Sequence, residues 1–348
     1  MTVASAVDHE LLEMMRTVFG EHRAAQERRD PGHLDTRLWG ILDQVGLTRL
    51  TGAASNGGSG GSWREAGALL GVAAGHAARV PLAEHDLLAG WLLDEAGLEP
   101  VDAPMTAAVL DGDGWAEDVP WASQVPRIVV AWKHAEEWLV ADLPTAGSQM
   151  TVGSSLAGVP HATLRVETST LVGTPVAGPV GQRFFLRAAL VRSLQICGAL
   201  EKIVDLCVRH TTERTQFGQP LARFQAVQHL VADAAAESSL ARAATDAALA
   251  EAVDGDFASP FLAFAVAVAR SCTGHAAGTL VRNAHQVHGA IGTTIEHELQ
   301  DYTKPVLAWR CEFGSMRFWD EYLTRVAVDA GRDVWALVSD GTVTELPT

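Results

Sequence analysis

The sequence predicts a mainly α protein with a small β-domain between two helical domains, and three textures along the chain predict it. Apolar residues recur every three or four positions over long stretches of the second half, as one buried face of a helix requires. Shorter stripes of the same period fill roughly the first hundred residues. From Met105 to about Thr174 the pattern changes to short β-branched or alternating runs bounded by Pro, Gly, Asp and Ser. The expected divisions are residues 1–103 for an N-terminal helical domain, 104–177 for a short β-domain, 178–331 for a C-terminal four-helix domain and 332–348 for a tail.

Leu11, Met14, Met15 and Val18 give the first stripe, over residues 8–20. Leu38, Ile41, Leu42 and Val45 give a second, over 34–50, separated from the first by Asp30-Pro31-Gly32. Gly57-Gly58-Ser59-Gly60-Gly61 is a flexible-loop composition. Ser62 and Glu65 then form a capping box that opens a helix rich in Ala and Leu. Another helix is expected over Glu84–Ala96. In the middle segment, Thr106–Leu110, Arg127–Trp132, Trp138–Asp142 and Ala162–Thr168 have the pattern of strands. Beyond Gly178, helices are expected over about 182–212, 222–252, 260–288 and 315–330, and facing stripes of these lengths suit an antiparallel bundle.

Charge and cysteine usage exclude several functions. Lys+Arg total 26 against Asp+Glu 42, a net charge of −16, which disfavours nucleic acid as a partner. The isolated Cys197, Cys207, Cys272 and Cys311 form no C-x-x-C pair, which argues against a zinc site or a disulfide scaffold. No basic segment followed by an apolar run opens the chain, and no apolar run has the ~18 residues needed to span a bilayer. A cytoplasmic location and no membrane contact are therefore expected. His275, His285 and His288 lack a completing carboxylate or thiolate, so no metal is expected there.

The most informative stretch is Arg214-Thr215-Gln216-Phe217-Gly218-Gln219-Pro220-Leu221, continued by Phe224, Gln225, Gln228 and His229. Gly and Pro break the helical pattern at this corner, beside a guanidinium suited to phosphate and an aromatic suited to a ring. A second element, Gln286-Val287-His288-Gly289-Ala290-Ile291-Gly292 ending at Glu296, follows at helical separation. These two segments together resemble the paired C-terminal motifs of the acyl-CoA dehydrogenase superfamily, and the resemblance is strongest over residues 180–320.

That resemblance implies an acyl-CoA dehydrogenase-like fold: a helical N-terminal domain, a middle β-domain and a C-terminal bundle that packs into a tetramer. It implies FAD as cofactor, an acyl-CoA thioester as substrate, and an electron-transfer flavoprotein or similar acceptor. Arg214 matches the arginine that reaches the FAD pyrophosphate across a subunit boundary, and Phe217 an aromatic beside the adenosine. Gln216, Leu221 and Gln225 stand at matching positions. Gln286, Gly289 and Gly292 match the second motif, with Ala290 in place of its second Gly. Ser315 matches a hydroxyl residue that contacts the cofactor, and it is equally a good helix N-cap. The middle segment is shorter than the resemblance implies and lacks the Thr-Glu-Pro-Gly-x-Gly-Ser loop that holds flavin and thioester.

The same resemblance implies a glutamate base that removes the α-proton as the β-hydride passes to flavin. One family position for it lies on the first long C-terminal helix, but no Asp or Glu occurs between Glu167 and Glu201. The other lies just before the Gly that opens the last helix. In Trp309-Arg310-Cys311-Glu312-Phe313-Gly314, Phe313 stands in that place and Glu312 falls one residue early, a rotation of about 100°. Three versions follow. The chain is one subunit of a heteromeric acyl-CoA dehydrogenase of fatty-acid or steroid side-chain oxidation, with the base on a related companion chain. Alternatively it is self-sufficient and uses Glu312. A version of another class is a helical assembly protein that has lost flavin. Ten Trp and the ring of Phe313 hint at a bulky apolar acyl group.

Overall fold

The computed structural model describes residues 7–25 and 32–339. Asp30 and Pro31 of the expected separator, the opening segment Met1–Ala6 and the Asp340-Gly341 turn lie outside the described residues. The chain divides into two compact units. One comprises Val7–Leu69 and Ala78–Ala188; the other comprises Leu70–Ala77 and the chain from Ala189 onward.

The first unit opens with α1 (His9–Ala25) and α2 (Thr36–Gln44). Helix α2 stops at Gln44 and does not continue to residue 50. Val45 donates its N–H back to Ile41, and Gly46 follows with φ +74°, a left-handed residue that ends a helix. At the start of α3 (Trp63–Gly75) the expected capping box is present. Ser62 N–H donates to Glu65 Oε2 at 2.8 Å, and Arg64 N–H donates to Ser62 Oγ at 3.1 Å. The helix expected over Glu84–Ala96 begins as a wide π-helical stretch, Ala83–Gly90, and narrows into α4 (Trp91–Ala96). Every residue of the wide stretch is buried, including the polar Glu84, His85 and Asp86.

The β-domain contains more strands than the sequence pattern predicts. Strands β1 (Met105–Val109), β3 (Arg127–His134), β4 (Glu137–Pro144) and β7 (Thr174–Val176) form one sheet in the order β1-β3-β4-β7. Only the β1–β3 pairing is parallel. Strands β2 (Trp115–Pro120), β6 (Pro160–Arg165) and β5 (Gln149–Ser154) form a second, antiparallel sheet. One apolar cluster joins Val130, Trp132 and Ala141 of the first sheet to Ala116, Ala162 and Leu164 of the second, the inner layer of a small sandwich. β5 escapes notice in the sequence because it is exposed at all but one residue, so burial writes no alternation into it.

The second unit is helical. Helix α5 (Val180–Glu213) is followed by a two-stranded hairpin, β8 (Thr215–Gln216) and β9 (Gln219–Pro220). Then come α6 (Gln225–Asp254), α7 (Leu262–His288), α8 (Gln300–Trp309), α9 (Met316–Ala330) and α10 (Val334–Ser339). Ala234 and Ala241 of α6 and Ala276, Ala277 and Ala284 of α7 join one buried cluster with Ile196, Leu200 and Ile203 of α5. Small residues on those faces let helix backbones approach closely, while α5 supplies the larger side chains. Helix α8 is additional to the four expected. Pro305 lies inside it, and burial of Tyr302, Thr303 and Val306 around the proline offsets the lost backbone bond.

Candidate functional site

Arg214 follows the last residue of α5, and its N–H still donates to His210 O at 2.9 Å. That bond continues the helical geometry, so His210 and Arg214 share one face. The chain then reverses through β8 and β9. Phe217 (φ +51°) and Gly218 (φ +81°) sit at the tip, both left-handed, as a tight two-residue hairpin loop demands. Glycine takes that conformation freely, whereas Phe217 takes it at a cost on the order of 1–2 kcal/mol. Leu221 N–H donates to Arg214 O at 2.9 Å and closes the reversal.

Helix α7 ends at His288, where Gly289 turns the chain with φ +62° and leads into a 3-10 turn. The two motifs, some seventy residues apart in sequence, meet in an open groove of about 700 Å³. Arg214, Gln216 and Leu221 line it from the hairpin side, and Gln286, Gly289 and Ala290 from the end of α7. Arg214 is exposed and has no ion-pair partner among the described residues, so its fork of donors is open to the groove. A Cβ built at Gly289 would meet nothing within 4 Å, so backbone there lies open to a ligand.

Other motif residues take different places. Phe217 is 92% exposed and does not line the groove; its ring packs edge-on to Phe224 at 6.2 Å. Gln225 is exposed at the first turn of α6. Gly292 is buried, and a Cβ there would lie 2.8 Å from His288 Cβ, so close packing accounts for the glycine. Ser315 caps α9, its Oγ accepting from Phe318 N–H at 3.2 Å.

The base position has a different character. Phe313 (φ +50°) and Gly314 (φ +92°) form a tight left-handed turn before α9. Glu312 precedes them, and its Oε2 accepts from Arg192 Nε of α5 at 2.7 Å. The side chain of Arg192 is 2% exposed and that of Glu312 14%. Arg192 also donates to Gln195 Oε1 at 2.6 Å and lies 5.5 Å from the centre of the Phe313 ring. Arg270 of α7, fully buried, brings Nη2 within 3.2 Å of four carbonyls, those of Trp309, Arg310, Glu312 and Gly314. Burial chiefly, and next the attraction of Glu312, act in opposite senses on Arg270, and burial wins, lowering its pKa to about 10. The guanidinium is still charged at neutral pH.

Neither arginine stood out in the sequence. The available signal was indirect: α5 carries Arg183, Arg187 and Arg192 over a stretch without any acid, so their partners had to be distant in sequence. For Arg183 that partner is Glu95, at 2.7 Å.

Arg214, Gln216 and Leu221 of the first motif and the turn of the second therefore frame one groove on the helical unit. Residues 179–316 match the family described as acyl-CoA dehydrogenase, C-terminal domain. The chain is 28% identical over 276 residues to the acyl-CoA dehydrogenase IpdE2 of Mycolicibacterium smegmatis, spanning 78% of this chain and 81% of that one. Its fold is similar to that in the crystal structure of the ChsE4–ChsE5 complex from Mycobacterium tuberculosis, with a TM-score of 0.79 and 18% identity, over 94% of this chain and 98% of that one. It is also similar to the Tcur3481–Tcur3483 steroid ACAD, with a TM-score of 0.78 and 20% identity, over 95% and 97%. Among the described residues no helix is long and apolar enough to cross a membrane.

Proposed function

We propose that this chain is one subunit of a heteromeric, FAD-dependent acyl-CoA dehydrogenase and that a related companion chain carries the catalytic base. The observation that carries this reading is the contrast between an open cation and a closed carboxylate. Arg214 stands exposed in a groove with Gln216, Gln286 and the open backbone of Gly289. Glu312, the one acid near the base position, is held by a buried guanidinium.

The groove residues fit the diphosphate of FAD. A guanidinium fork and two carboxamides supply donors, and Gly289 lets an anion approach the main chain. Bound FAD supplies the hydride acceptor, so an acyl-CoA loses a proton from Cα and a hydride from Cβ and becomes the α,β-enoyl thioester. Within this chain, Arg214 neutralises phosphate charge, and Gln216 and Gln286 orient it. Arg192 and Arg270 fix the turn that presents the Phe313 ring, and the companion supplies the carboxylate that accepts the Cα proton.

Neighbours in fold support the partnership: two structures with this fold are the ChsE4–ChsE5 complex and the Tcur3481–Tcur3483 steroid ACAD. An electron-transferring flavoprotein or similar acceptor would reoxidise the flavin. Co-expression with a related acyl-CoA dehydrogenase chain from the same operon tests the proposal. The expected product is a yellow hetero-oligomer that desaturates acyl-CoA, retains activity in Glu312→Gln and loses flavin in Arg214→Ala. Desaturation by the isolated chain, abolished by Glu312→Gln, would establish the self-sufficient version instead. A colourless oligomer from every combination would leave the assembly protein.

A further inference from the structure

Four histidines cluster at this end of the helices, two of them in the groove wall, and nothing in the desaturation chemistry calls for them. His210, at the end of α5, stacks on His288, at the end of α7, with ring centroids 4.5 Å apart and planes 28° from parallel. His297 packs edge-on to His288 at 5.0 Å. His285 lies one turn before Gly289, and its Nδ1 is buried without a partner. His210 and His288 both line the groove. The ring of His288 is tied back, since its Nδ1–H donates to Ala284 O at 2.8 Å. His210 has no hydrogen bond to its ring nitrogens among the described residues, and it shares a helix face with Arg214.

We propose that His210, held flat by His288, is a second phosphate ligand of the groove, donating a ring N–H to the same diphosphate that Arg214 binds. This rests on the assignment of the groove to the dinucleotide. His288 is the positioning residue: its stack fixes the plane of His210, as a bound histidine donor needs.

The electrostatic surroundings make the contact proton-linked. In the free chain, burial first, then His297 and Arg214, hold His210 below the ordinary histidine range, against the smaller pull of Glu213. His288 is pushed down to about 4 by burial and by the neighbouring histidines, and burial and His297 also lower His285. Arg209 and Glu298, also near this end of the helices, are already bonded to each other. His210 is thus neutral at pH 7 until an anion arrives. A phosphate beside it favours the imidazolium, so binding takes up a proton. The bound pKa lies above the free one. The gain in affinity is therefore complete below the free pKa and is lost as pH rises through the bound one.

ADP-ribose is a suitable probe, because its diphosphate is a diester and does not titrate near neutrality. Calorimetric titration of the full chain with ADP-ribose, in buffers of different ionisation enthalpy, measures proton uptake directly. The expected result is uptake of a fraction of a proton near pH 7. Affinity should fall as pH rises from below the free His210 pKa through the bound one, by roughly ten-fold for each unit the pKa rises on binding. In His210→Phe, which keeps the stacked ring, both the uptake and the pH dependence should vanish while Arg214-dependent binding persists. Binding that needs Arg214 but takes up no proton in the wild-type chain would overturn the role of His210 and leave the groove assignment standing. No binding of ADP-ribose by the wild-type chain would overturn both.

Discussion

The groove at Arg214 and the turn at Glu312 belong to the same helical unit and both centre on arginine, yet they are built on opposite principles. In the groove the guanidinium is exposed and the donors face open space. At the turn, Arg192 and Arg270 are buried and their hydrogen bonds end on protein, on the Glu312 carboxylate and on four main-chain carbonyls. Charge left unpaired at a surface costs little and keeps its binding capacity for a ligand. Charge buried in a core is tolerated only when paired. The first region therefore has the features of a binding site and the second those of a structural clamp.

Substitutions can break that contrast, and the largest effect is expected at the clamp. Arg270→Met should lower stability by on the order of 3–5 kcal/mol, because four carbonyls lose their donor and Glu312 loses a nearby cation. Chemical denaturation measures it, and a loss under 1 kcal/mol, within the ordinary range of surface changes, would show that the clamp carries no load. Arg214→Ala should leave the melting temperature of the chain unchanged and weaken FAD binding by roughly 100-fold, about 2–3 kcal/mol for charge-assisted contacts. Fluorescence titration of the flavin separates those outcomes. Unchanged affinity would remove the groove from the flavin site.

Glu312→Gln sharpens the comparison further. It should destabilise the chain by about 1–3 kcal/mol, since Arg192 loses its counter-charge in a buried setting, without slowing desaturation by the hetero-oligomer. A variant of normal stability that has lost activity would move Glu312 from the clamp to the chemistry. Gly292→Ala should cost about 1–3 kcal/mol, because the added methyl meets His288 and presses on the stacked pair.

The smallest effect is on pH dependence. Folding lowers His288 from 6.5 to about 4 and His85, buried in the wide helix of the other unit, to about 3. The unfolded chain binds more protons in those windows, so this stability is complete above about pH 6.5 and falls as pH drops toward 4. Asp86 has the opposite sign. Burial raises it from 3.8 to about 6, so its contribution falls as pH rises through that interval. Two histidines outweigh one aspartate, and the melting temperature should drop between pH 7 and pH 5 by a few degrees. A His288→Phe variant should flatten the slope.

How much of this was legible in the sequence differs by region for a physical reason. Helices with a buried face were plain, because burial writes a period of three to four residues into the chain. The Arg214 corner was legible because Gly218 and Pro220 are local chemistry and need no distant partner. The wide turn over Ala83–Gly90 was missed, since nothing in its composition separates it from an ordinary helix. Strand β2 was missed because a register shift between Ala116 and Val119 interrupts its alternation. Helix α8 was missed because Pro305 argued against it.

The sequence by itself determined the mainly helical class, the positions of both motifs and the residue types that a phosphate would need. Only the tertiary structure decided which of those residues share a groove. It brought Gln216 to Gln286, and it sent Phe217, Gln225, Gly292 and Ser315 to a loop tip, a helix start, a packed turn and a cap. It also paired Arg192 with Glu312 across 120 residues of chain. Local pattern encodes which surface of an element is buried; which two surfaces meet is fixed only when the helices pack, and charge pairing is decided at that step.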